Sequence, residues 1–187
     1  RWGTGTLRWV RPLKRIVALF DGAVVPFEID GIHSGDVTEG HRFMGAAKPF
    51  AVRDFADYRA RLEQHFVLLD AADRKLKILD AAKAACHARG LELVDDDGLL
   101  EEVAGLAEWP TPILGDMDPQ FLDLPPEVVR LSMKVHQKYF AVRRQSPPFG
   151  GSTREAGEGG LAPNFVVVAN VEASDGGVAL AAGNSRV

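Results

Sequence analysis

Chemistry in this 187-residue chain would have to come from a small set of side chains. His33, His41, His65, His87 and His136 never take the i, i+4 spacing with a neighbouring Glu that builds a zinc site on one helix face, so no metal site is expected. Ser34 and Ser132 lack the glycines of a nucleophile elbow, and Cys86 sits in an amphipathic stretch where a thiol packs as a small apolar group. Covalent catalysis is therefore unsupported. The "GTG" near the start and the "GG" pairs at 150 and 176 lack the strand, Lys and Ser or Thr of a phosphate-cradling loop. Two polar clusters and a basic start remain. "GHRF" (40–43) and "HQKY" (136–139) place His41, Arg42, His136, Gln137 and Lys138 among apolar neighbours, as network or surface groups. The first fifteen residues hold Arg1, Arg8, Arg11, Lys14 and Arg15 with no acid, and Trp2 and Trp9 lie among them. Such a stretch suits phosphate contact with base stacking, although a solvated strand face gives the same pattern. The acidic run Asp95, Asp96 and Asp97 reads as a turn with a helix cap, because carboxylates complement the helix dipole there.

The bulk composition narrows what these groups can serve. Hydrophobic residues make up 46% of the chain, enough for a sizeable core. The net charge of −4, from 22 basic and 26 acidic residues, gives no global attraction for a polyanion, so a nucleic-acid contact has to be local. A single cysteine excludes an internal disulfide and fits a reducing compartment. No apolar run reaches the roughly 18 residues of a membrane span, and the amino terminus has no signal-peptide core, so a cytoplasmic location without membrane contact is expected. With no initiator Met, and an end at "GNSRV" without a stop signal, the chain is expected to be an excerpt.

These residues must be held by regular elements. Asp21 and Gly22 separate two β-branched runs in "RIVALFDGAVVPFEI" (15–29), a hairpin signal, since glycine accepts the positive φ of a type I′ turn. Pro26 removes a ladder donor and predicts an open edge or a bulge. Residues 30–45, with four glycines, read as an ordered loop with a short strand. Phe55, Tyr58 and Leu62 predict a helix from Asp54 to about Gln64. Leu76, Leu79, Lys83 and Cys86 predict another from Asp70, stopped by Gly90. A third is predicted with Asp97 as N-cap, a stripe of Leu99, Leu100, Val103 and Leu106, and a stop at Pro110. Pro125 and Pro126 open a short fourth helix through Met133. Residues 138–143 and 164–172 read as strands, with Phe140 and Val142 facing inward. Their connector carries five glycines and three prolines, which predicts a mobile hairpin insertion at about 145–162. Strands first, helices in the middle and strands last argue for one α+β module over 1–187, with a largely antiparallel sheet and helices grouped on one face. "GHRF" and the junction around residues 134–138 are expected to approach each other, since two polar loops leaving one sheet can satisfy one another.

The blocks "LLEEVAGLAEWP" (99–110), "MKVHQKYFAV" (133–142), "APNFVVVANVE" (162–172) and "GNSRV" (183–187) occur in an order that resembles the beta subunit of bacterial heterotetrameric glycyl-tRNA synthetase. "RWG" (1–3), "VRP" (10–12), "VVPFEIDGIHSG" (24–35) and "GHRFMG" (40–45) agree, so the resemblance covers essentially the whole chain. It implies an internal piece of a subunit several times longer. The expected partners are the alpha subunit, glycine tRNA and the remaining domains of the beta subunit. It also implies that ATP and Mg²⁺ are used through the alpha subunit, with no catalytic residue, metal or cofactor in this piece. Arg8, Arg11, Arg15, His41, Arg42, His136, Gln137 and Lys138 are then expected to serve tRNA binding or a polar network. Part of the beta subunit has been likened to the editing-domain fold of the bacterial phenylalanyl enzyme, which leaves a hydrolytic editing module and a pure scaffold as alternatives. The Gly- and Pro-rich connector is longer than the tight turn usual in that family.

Overall fold

The computed structural model describes residues 7–8, 13–44, 48–145 and 160–170. The chain divides into two compact units, 1–69 and 70–187.

The first unit is built from short strands: β1 (Ile16–Val17), β2 (Leu19–Phe20), β3 (Ala23–Val24), β4 (Glu28–Ile29), β5 (Ile32–Gly35), β6 (Val37–Thr38) and β7 (Phe50–Ala51), followed by helix α1 (Phe55–Gln64). The expected hairpin is β2–β3, and Asp21 (φ 48°) and Gly22 (φ 75°) both take the left-handed conformation of a type I′ turn. The same dipeptide recurs at Asp30 (φ 52°) and Gly31 (φ 82°), where it closes β4–β5, so the segment read as a loop holds a second hairpin. β5 also pairs in parallel with β1, and β6 pairs with β7. Pro26 interrupts the strand as expected. Ser34 spans the gap, its hydroxyl accepting from the Phe27 N–H at 2.9 Å and donating to the Val25 carbonyl at 2.7 Å. Asp54 caps α1 through the Asp57 N–H, and Leu62 and Val52 are buried with His41.

The second unit runs α2 (Ala71–His87), β8 (Leu91–Leu93), α3 (Asp97–Leu106), β9 (Thr111–Asp116), a 3₁₀ turn (Pro119–Asp123), α4 (Pro126–Ser132), a π-helical turn (Met133–Gln137), β10 (Phe140–Arg144) and β11 (Leu161–Ala169). Its four strands form one antiparallel sheet in the order β8–β10–β11–β9. The α+β expectation holds. On one face α2 and α3 lay Ile78, Ala82, Cys86, Leu99, Val103 and Ala104 against Phe140, Val142 and Val166. On the other face Val129 and Met133 meet Ala141 and Phe165. Phe140 and Val142 are buried as expected.

Several details differ from the sequence reading. The buried face of α2 follows Ile78, Ala82 and Cys86, while Leu76 is 60% exposed, because alanine lets the helix approach the sheet closely at positions that a count of large residues overlooks. Asp96, not Asp97, caps α3, its carboxylate accepting from the Leu99 N–H at 2.9 Å, and Leu106 points outward. α4 passes directly into the π-helical turn, which Lys138 ends in the left-handed conformation (φ 58°) with the Tyr139 N–H donating to the Met133 carbonyl. The strand therefore starts at Phe140 rather than Lys138. β11 starts earlier than expected, at Leu161, and accommodates Pro163 beside a break in register with β10. Of the predicted insertion, residues 146–159 lie outside the described residues.

Candidate functional site

In the first unit, His41 is 1% exposed and fixes its loop twice. Its N–H donates to the His65 carbonyl at 2.8 Å, and its Nδ1 accepts from the Phe43 N–H at 3.2 Å. An accepting Nδ1 places the proton of the neutral ring on Nε2, which is buried with no partner among the described residues. Gly40 is required beside it, since a Cβ there would come within 2.3 Å of the His65 Cβ and 2.7 Å of its carbonyl oxygen. The loop so anchored projects Phe43, which is 75% exposed, and the exposed Arg42 guanidinium lies 5.4 Å from that ring's centroid. Arg8 is exposed, Arg15 is paired with Glu39 at 2.7 Å, and Arg11 lies outside the described residues. At the start of α1, Asp57 accepts from both Arg53 and Arg61, and the Arg53 bond does most to pull its carboxyl down to about 2.

Lys138 of the second cluster and Lys134 just before it are both paired with α3 or its cap. Lys134 donates to the capping Asp96 at 2.8 Å, and Lys138 lies 2.9 Å from Glu102. Burial pushes the Asp96 carboxyl up, but the bonds from Lys134 and the Leu99 N–H outweigh it, and the net shift is down. His136 and Gln137 are exposed. "GHRF" lies in the first unit and "HQKY" in the second, so the expected approach lies outside what either unit shows by itself.

The sequence reading passed over the cleft beside α4. It measures about 380 Å³ and is walled by Met117, Phe121, Leu124, Val128, Met133 and the stacked pair Tyr139–Phe165, whose centroids are 4.4 Å apart. Asp116, Asp118, Ser132 and Gln137 supply its polar atoms; among the described residues its lining holds two carboxylates and no Lys or Arg, and Asp116 is paired with Arg89 at 2.9 Å. Burial raises the Tyr139 hydroxyl pKa. Gly115 keeps the floor open, because a Cβ there would stand 2.5 Å from the Phe165 ring. Along the outer side Phe121, Leu124, Val128, Leu131 and Val135 are all 47–63% exposed. Their alternating three- and four-residue spacing is visible in the sequence, whereas the short helix there is expected from Pro125 and Pro126 alone. His136 is absent from the lining of this cleft and from that of the smaller one on the other side of α4.

The family model described as "Glycyl-tRNA synthetase beta subunit" matches residues 1–187. The chain belongs to this family. It is 61% identical over 185 residues to the glycine–tRNA ligase beta subunit of Phenylobacterium zucineum (strain HLK1), covering 99% of this chain and 26% of that protein. The beta subunits of Ruegeria sp. (strain TM1040) and Paracoccus denitrificans (strain Pd 1222) are 49% and 47% identical over 191 residues, each covering 100% of this chain and 26% of theirs. This member of the beta subunit family thus spans about a quarter of the length of these relatives. Its two units differ in charge. Residues 1–69 contain 10 Lys and Arg against 8 Asp and Glu, a net +2, whereas residues 70–187 contain 12 against 18, a net −6.

Proposed function

We propose that the chain is a module of a glycine–tRNA ligase, supporting tRNA recognition and subunit assembly, while ATP- and Mg²⁺-dependent glycine activation resides in the alpha subunit. The observation that carries this reading is the charge division between the units. A polyanion is drawn to the unit with the positive balance, where Arg8 and Arg42 are exposed and Arg42 lies beside an exposed aromatic ring suited to stacking. The negative second unit repels phosphate and offers an apolar outer stripe suited to protein contact. Family membership supplies the reaction, and a location without membrane contact is consistent with that reading. Among the described residues no helix is long and apolar enough to cross a membrane.

The test uses the complete alpha and beta enzyme. Replacing Arg8, Arg11 and Arg15 by Gln is expected to weaken tRNA binding and to reduce the slope of log K against log salt by about 2 to 3, given roughly one released counterion per phosphate contact. An unchanged slope would assign these side chains to a solvated face. The isolated 187-residue chain is expected to show no glycine-dependent exchange between ATP and pyrophosphate, and exchange above background would overturn the division of labour.

A further inference from the structure

We infer that Phe43 is a stacking platform for one unpaired nucleotide of the tRNA, whose base lies on the exposed ring while Arg42 takes the adjoining phosphate. The inference rests on the tRNA-recognition half of the function proposed above and deepens it, by naming the part of the RNA that is held and the way it is held.

Three observations carry it. Phe43 is 75% exposed, so its ring adds little to the packing of the first unit and most of its surface is open to a flat partner. A nucleobase is such a partner, because every base has a π-face that stacks on an aromatic side chain. Next, the loop that carries the ring is fixed. The buried His41 ring lies 6.2 Å from the Phe43 ring and accepts the Phe43 N–H on its Nδ1, the His41 N–H donates to the His65 carbonyl, and Gly40 approaches His65 too closely to admit a side chain. A ring held in this way loses little conformational freedom when its partner arrives. Finally, the charge beside the ring has the sign that RNA needs. The exposed Arg42 guanidinium lies 5.4 Å from the ring centroid, and the stretch from Gly40 to Val52 holds Arg42 and Lys48, both exposed, and no Asp or Glu. Of the acids that adjoin the loop and its His65 anchor in sequence, Glu39 is neutralised by Arg15 at 2.7 Å, and Glu63 stands exposed in the last turn of α1. An unpaired nucleotide presents a free base face and a phosphate together, whereas the bases of a duplex already cover one another. Phe43 has no hydrogen-bonding edge, so the platform accepts any base.

The experiment replaces Phe43 by the photoreactive p-benzoylphenylalanine in the full-length beta subunit, assembled with its alpha subunit and a transcript of glycine tRNA, and maps the crosslinked nucleotide by primer extension. The side chain is on the surface, so folding is preserved, and circular dichroism checks it. The expected product is a crosslink to a nucleotide outside the paired stems. Phe43→Ala is expected to raise the Kd for the transcript about 5- to 100-fold with the salt slope unchanged, and Phe43→Trp to keep it within about twofold. Arg42→Gln is expected to reduce the salt slope by about 1. Removing the base at the mapped nucleotide should cost the same factor as Phe43→Ala, and the two together no more than either alone, while exchanging that base for another should change the Kd by less than about threefold. A Kd unmoved by Phe43→Ala, losses that multiply, a salt slope unmoved by Arg42→Gln, or a crosslink to a paired nucleotide, to polypeptide only or to nothing would overturn the inference. The recognition reading then stands if replacing Arg8, Arg11 and Arg15 still weakens tRNA binding, and it falls as well if that replacement has no effect.

Discussion

Asp57 shows how one side chain ties the entrance of α1 together, and its titration can be followed. Its side chain is mostly covered, at 12% exposed, and the bonds from Arg53 and Arg61 lower its pKa from an ordinary 3.8 to about 2. A carboxyl with a depressed folded pKa contributes stability that is complete above the unfolded value and lost as the pH falls through the folded one. Stability of the first unit is therefore expected to fall between about pH 4 and pH 2. Asp57→Asn should remove that part of the slope in a series of thermal melts, and an unchanged slope would mean that the pairs do not persist in solution. Cys86 behaves in the opposite sense. Burial raises its thiol pKa and keeps it from reagents, so alkylation of the native chain should be slow until denaturant is added. At this scale the sequence reveals residue types and hides commitments. His41 looked like a surface or network group and is buried, and Lys138 looked available for tRNA and is paired with Glu102, because both outcomes depend on partners more than 20 residues away.

The elements were more legible, for reasons particular to each. The Asp21–Gly22 turn, the Asp54 cap and the proline-led α4 carry their signals within four or five residues, so reading along the chain finds them. The α3 cap was misplaced by one residue because three consecutive aspartates all satisfy the same local rule, and only Lys134, from 38 residues away, adds its weight to Asp96. The two candidates separate by mutation. Asp96→Ala is expected to cost about 1 kcal/mol from the lost cap, with more from the abandoned lysine, whereas Asp97→Ala should stay within about 0.5 kcal/mol in urea unfolding. Equal effects would mean that the cap is shared. The cleft was not legible at all, since its floor is a cross-strand event. Gly115 lies opposite Phe165 in the sheet and leaves room for the ring that stacks on Tyr139. Gly115→Ala forces that ring to move and is expected to cost about 1 to 3 kcal/mol while disturbing the cleft, which the near-ultraviolet circular dichroism of Tyr139 would report.

Across the whole molecule, the buried apolar side chains are shared unevenly. Nearly all of them belong to the second unit, and in the first only Val52 and Leu62 are buried hydrophobics among the described residues. Ile78→Ala is expected to cost about 2 to 5 kcal/mol, as measured by urea unfolding of the second unit. Val52→Ala should instead raise amide exchange locally in β7 and α1, and matching losses at both sites would argue for one shared core. The sheet of the second unit also dictates a timetable. Among the described residues β8 bonds only to β10, and β9 only to β11, so within that sheet neither of the two strands made first has a partner until the last two exist. On a ribosome, residues 91–116 must therefore wait, with β9 presenting two open edges, for some fifty further residues to emerge. The two glycine-led hairpins of the first unit close within a few residues of being made, so a nascent chain stalled after Asp116 should already protect β2–β5 from exchange while β9 remains open to whatever chaperone is near.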